Sequence, residues 1–257
     1  FKKDYHLEDQ IIDSISFRKR RYSDEFFYKA LGVRNLSVMD FSDYQGADII
    51  HDLNYPIDSS LENKFDVLID GGTLEHVFNF PEAVKNCMRM IKVGGSIFIF
   101  SMANNHCGHG FYQFSPELFF RIFDGKNGFK TQSLILMEHP YPGAELSEKQ
   151  ICYNVKDPAI LGRRNSLVTK SPLGIMLHAV KIKHVPVFSQ FPVQSDYKTI
   201  WEDKKKNKKK NKNAWIKHLI AIVVNNLPVS LKNTFIGLNQ LRKFRLKKDT
   251  KAYRKLK

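Results

Sequence analysis

The sequence predicts an α/β fold with a doubly wound, mostly parallel sheet and an antiparallel terminal hairpin. Three observations predict it. Apolar runs of strand length, Phe65–Ile69 and Ser96–Met102, flank Pro81–Ile91, where Ala83, Val84, Cys87, Met88 and Ile91 recur at helical spacing. Asp70-Gly71-Gly72 closes the first run and Gly94-Gly95 stops the helix, so strand, loop, helix, turn and strand form one βαβ unit with parallel strands. Further on, Asn165–Thr169 and Ile175–Ile182 read as strands joined through Ser171-Pro172-Leu173-Gly174, which predicts a closing hairpin.

The other elements follow from local chemistry. Ile11, Ile12 and Ile15 recur at helical spacing in a polar N-terminal stretch. Ser23 or Asp24 caps a helix over 25–31 that Gly32 ends. Leu36–Met39 and Ala47–His51 are short strands followed by Asp40 and Asp52, and 58–64 is a polar connection. Ser115-Pro116-Glu117 opens a helix with an N-cap serine, a first-turn proline and an acid at the positive end of the dipole. Phe129–Met137 is a strand, and 139–161 reads as a long loop-like insertion. These elements make one α/β domain over residues 1–185.

Residues 186–213 form a linker that includes KKKNKKKNKN, a run unable to bury a core. Residues 214–257 read as a basic amphipathic helical tail: Trp215, Leu219, Ile222 and Val223 recur at helical spacing, Pro228 interrupts, and Leu231, Phe235, Leu238, Leu241 and Leu246 follow.

Charge is distributed unevenly. Residues 204–257 hold 18 Lys and Arg against Asp249 alone, a net +17, whereas the first 203 residues hold 23 Lys and Arg against 25 Asp and Glu, a net −2. The basicity therefore concerns what the tail touches: an anionic membrane surface, nucleic acid, or the domain itself. A near-neutral domain disfavours nucleic acid as the substrate. Three widely spaced cysteines, Cys87, Cys107 and Cys152, point to a reduced cytoplasmic protein, peripheral at a membrane if the tail binds one. No apolar run reaches the roughly 18 residues of a membrane span.

In an open parallel sheet, ligands sit beyond the carboxyl ends of the strands. Those ends carry Asp70-Gly71-Gly72-Thr73-Leu74-Glu75-His76 and Asn104-Asn105-His106-Cys107-Gly108-His109-Gly110. The segments Thr73-Leu74-Glu75-His76-Val77 and Ile91-Lys92-Val93-Gly94-Gly95, in this strand–helix–strand context, resemble the class I S-adenosylmethionine-dependent methyltransferases over about residues 31–183. The resemblance implies a Rossmann-like fold and methyl transfer from S-adenosylmethionine to a small-molecule or sugar-like acceptor. On that reading Asp40 takes the ribose hydroxyls. Asp52 and Leu53 take the adenine, and Asp70, Gly71 and Gly72 lie against the donor. The family's glycine-rich loop after its first strand has no match here. Because the chain begins at Phe1, that segment is expected upstream.

A base is needed only if the acceptor carries a proton, and His109 or His76 is the candidate, with Tyr112 beside the acceptor. His76 also fits a helix-capping role, and Gly108 and Gly110 also fit turn roles. Glu75, His76, His106, Cys107 and His109 suggest metal ligands, but H-C-x-H is not a usual zinc spacing, so no metal is expected. A Cys107 nucleophile lacks the supporting order of His and Asp. The alternative function is a non-catalytic, methyltransferase-like binding protein whose tail does the work.

Overall fold

The structure, a computed structural model, describes residues 27–28, 31–44, 46–141, 150–197, 222, 224, 227–243 and 245–256. Two compact units divide the chain, residues 1–52 and 53–257.

In the N-terminal unit, β1 (Met39–Asp40) and β2 (Ile49–Ile50) pair in parallel, with Met39 opposite Ile49 and Asp40 opposite Ile50. Both are shorter than the sequence suggests. Asp48 accepts a hydrogen bond from the Val38 N–H at 2.8 Å and ties the two strands. Ile11, Ile12, Ile15 and most of the expected 25–31 helix lie outside the described residues.

The second unit is built on a six-stranded sheet in the order β3-β4-β7-β5-β6-β8. The strands are β3 (Phe65–Asp70), β4 (Ile91–Asn104), β5 (Phe129–Glu138), β6 (Ile151–Val155), β7 (Leu173–Lys181) and β8 (Tyr253–Lys255). Only β3 and β4 pair in parallel; the other pairings are antiparallel. The sheet is thus mixed, not mostly parallel. The cause is β7, which runs in reverse between β4 and β5, so that β3, β4 and β5 share a direction without all touching. Their carboxyl ends therefore lie along one edge.

The expected 165–169 strand does not form. Both edges of β7 are occupied, by β4 and β5, which leaves no ladder for a hairpin partner. The 139–161 insertion is also more ordered than a loop, since it supplies β6 and the one-turn helix α3 (Pro158–Leu161). The tail likewise is not helical throughout. Helix α4 spans Val229–Lys243, but Tyr253–Lys255 joins the sheet beside β6. Leu246, Ala252 and Tyr253 are buried. Trp215, Leu219, Val223 and the Lys/Asn run lie outside the described residues.

Helix α1 (Phe80–Met90) carries Pro81 in its first turn and buries Phe80, Ala83, Val84, Cys87 and Met88, packing on β4. At its end the buried Lys181 donates to the carbonyls of Met88 (3.2 Å) and Ile91 (2.7 Å) and to Asn63 Oδ1 (2.9 Å), a cation where the helix dipole is negative. The register jumps from Phe65 opposite Ile91 to Val67 opposite Ser96. Only glycine fits at 95 in this bulge, because a Cβ there would lie 2.7 Å from the Asp66 carbonyl oxygen. Helix α2 (Pro116–Ile122) is capped as predicted, Ser115 Oγ accepting from the Leu118 N–H. Ile97, Ile99, Leu134, Leu136, Ile175 and Leu177 fill the sheet interior. No described helix is long and apolar enough to cross a membrane.

Candidate functional site

Two loops build the site, one after β3 and one after β4. The first begins at Asp70, whose Oδ1 accepts from the Thr73 N–H at 3.0 Å. Gly72 adopts φ +108°, a conformation that favours glycine. Leu74–His76 then makes a single tight turn, which buries Leu74 and Glu75 and leaves His76 exposed.

The second loop leaves β4 through Asn105, at φ +60°. Asn105 Nδ2 anchors it to the carbonyls of Thr169 (3.0 Å) and Ser171 (2.9 Å). The His106 N–H donates to Gln113 Oε1 at 2.8 Å. The loop is tied to the first one at Glu75, whose carbonyl accepts from the N–H groups of Phe111 (2.8 Å) and Tyr112 (3.2 Å). Gly110, at φ +70°, permits that approach; a Cβ there would meet the Glu75 carbonyl oxygen at 2.8 Å.

The result is a cleft of about 630 Å³ lined by Gly71, Gly72, Glu75, His76, His106, Cys107 and His109, with Phe100 and Met102 as its floor. Glu75 is fully buried. Its Oε2 accepts from Ser101 Oγ at 2.7 Å, and its Oε1 lies 3.5 Å from His109 Nε2. The His76 and His109 rings are 5.0 Å apart, and His106 makes edge contacts with both His109 and His139. The carboxyl ends of β3, β4 and β5 thus deliver a row of histidines and one buried acid to a single edge. Burial pushes the Asp70 carboxyl up to about 7; the Thr73 N–H pulls against this and the Glu75 charge adds to it.

Gly71, Gly72, His76 and His109 line the cleft, and Asp70, at the end of β3 next to Gly71, is buried. Tyr112 does not line it. Its hydroxyl donates to the Phe78 carbonyl at 2.6 Å and its ring stacks on Phe114, so it braces the loops. Asp40 and Asp52 belong to the N-terminal unit, where the parallel pairing of β1 and β2 sets both at the carboxyl ends of adjacent strands. Leu53 opens the second unit, its carbonyl accepting from Asn86. The site role of Ser101 was not apparent in sequence, since a serine within an apolar strand gives no sign that it holds a buried carboxylate.

No protein-family model, curated protein or solved structure matches this chain.

Proposed function

We propose that this chain is a Rossmann-like methyltransferase that moves a methyl group from S-adenosylmethionine to a hydroxyl of a small-molecule or sugar-like acceptor. The observation that carries the proposal is the cleft's position. It lies past the carboxyl ends of the same-direction strands β3 and β4, where ligands of α/β sheets bind, and it combines exposed glycine backbone with an acid–histidine pair. The residues fit the donor: the space beside Gly71 is open, and the cleft has the volume of a cofactor-sized pocket. When bound, the donor supplies an electrophilic methyl on a sulfonium.

The chain's own residues do the rest. Gly71 and Gly72 present backbone to the ligand. Glu75, held by Ser101, fixes His109 at the acceptor end, where the hydroxyl proton leaves. Positioning does most of the work in such a transfer, with the proton-accepting cluster adding roughly 10²–10⁴-fold.

The test is methyl transfer from labelled donor to a panel of hydroxylated small molecules and sugars. His109→Ala should lower turnover about 100-fold or more while donor affinity changes little. Equal losses in both would make this a structural loop.

A further inference from the structure

We infer that Glu75, His76 and His109 form a binding site for one first-row divalent transition metal, such as Zn²⁺ or Fe²⁺, at the acceptor end of the cleft. One ligand atom from each of the three lies within 4.8 Å of the other two. The site rests on four observations.

First, the donor set is two imidazoles and one carboxylate, which suits a transition metal over the all-oxygen preference of Mg²⁺ or Ca²⁺. Second, the spacing is right. Ligand bonds of about 2.0–2.2 Å set neighbouring donors ~3.4 Å apart in a tetrahedron, and Glu75 Oε1 and His109 Nε2 are 3.5 Å apart. His76 is exposed, so its ring is free to swing in. Third, Glu75 is 0% exposed, with Oε2 held by Ser101 while Oε1 has no hydrogen bond. The nearest partner of Oε1 is the His109 imidazole at 3.5 Å, a position a cation between the two would fill, and the Ser101 bond is the kind of outer contact that orients a ligating carboxylate. Fourth, the ligands are held in register. The Phe111 and Tyr112 N–H groups bind the Glu75 carbonyl, and Gly110 keeps the His109 loop against it.

These three stand among the five residues whose types suggest ligands in the sequence, where H-C-x-H spacing speaks against a metal; the set here comes instead from two loops after two strands, which no single run shows. Three protein ligands leave positions open toward the cleft. The inference rests on the reading of this cleft as the acceptor end: with the ion bound, His109 would serve as a ligand and the ion would ease loss of the hydroxyl proton, whereas without it His109 is the proton acceptor.

The experiment is titration of the untagged, chelator-treated chain with Co²⁺, without donor or acceptor, read by visible absorption and equilibrium dialysis. One ion per chain is expected, displaced by Zn²⁺ and not by Mg²⁺ or Ca²⁺. His76→Ala, His109→Ala and Glu75→Gln should each weaken binding tenfold or more. The two histidine variants change exposed side chains, so an unaltered far-UV spectrum will show that they fold. No Co²⁺ binding, or binding that survives both histidine variants, overturns the site. Loss of binding in Cys107→Ser with the histidines dispensable would assign it to a thiolate and overturn this donor set. The two readings fail separately: methyl transfer that persists in chelator with no Co²⁺ bound refutes the metal alone, and Co²⁺ binding without any donor binding refutes the methyltransferase alone.

Discussion

Asp70 carries a consequence of its own. It is buried at the end of β3, and that burial holds its carboxyl at about 7 against 3.8 for a free aspartate. Between those values the folded chain binds a proton that the unfolded chain has released. The stabilisation from Asp70 is therefore complete below about pH 4 and is lost as pH rises through about 7. At ~1.4 kcal/mol per tenfold change in proton affinity, the gap amounts to roughly 4 kcal/mol. The groups interacting electrostatically with it are Glu75, whose charge opposes ionisation, and the buried Cys87 thiol, which burial and Asp70 push far up. Asp70→Asn should remove this slope. Urea midpoints measured from pH 4 to 8 should fall more steeply for the natural chain than for the variant; parallel curves would mean that Asp70 is ionised throughout. At this scale the sequence was half legible. Residues at strand ends, Gly71, Gly72, His76 and His109, could be read from pattern because strand ends are marked by where apolar runs stop. Glu75 and Ser101 could not be paired, because their contact joins positions 26 apart through the β3–β4 crossover.

Among the elements, the last strand departs furthest from the sequence reading. A stretch of lysines and arginines looks like a free basic tail, yet Ala252 and Tyr253 are almost fully buried and Tyr253 opposes Val155 in the sheet. The Tyr253 hydroxyl donates to the Asn165 carbonyl at 3.1 Å, and Arg163 grips Asp249, the tail's one acid, through both carboxylate oxygens at 2.6 and 2.8 Å. Tyr253→Ala should cost about 3–5 kcal/mol, the range for a large buried aromatic, measured by denaturant unfolding. A loss under about 0.5 kcal/mol, typical of surface positions, would mean the tail is not part of the sheet. Strands β3, β4, β5 and β7 were legible because each is an apolar run bounded by glycine, proline or polar residues. Strand β8 was not. Its sequence, Tyr-Arg-Lys, has one apolar residue, and its place is set by the open edge of β6. The failed 165–169 strand is the converse case: its pattern was suitable, but β7 had no edge to offer.

Across the whole molecule, one edge of the six-stranded sheet gathers the candidate chemistry, and the basic residues are concentrated in sequence after residue 203. The cleft is lined by residues of the near-neutral part of the chain, while the net +17 belongs to residues 204–257. In that region α4 leaves Val229, Leu231 and Leu238 exposed. The chain's topology could be only partly read in advance, because the order β3-β4-β7-β5 depends on β7 entering between two strands distant in sequence, and no local pattern encodes that crossing. Whether this scaffold serves methyl transfer is tested most directly by calorimetry of the full chain with S-adenosylmethionine and, separately, with its demethylated product. Both should bind one site, with dissociation constants in the micromolar to millimolar range common for enzyme ligands. Absence of binding by either ligand at millimolar concentration would contradict that role.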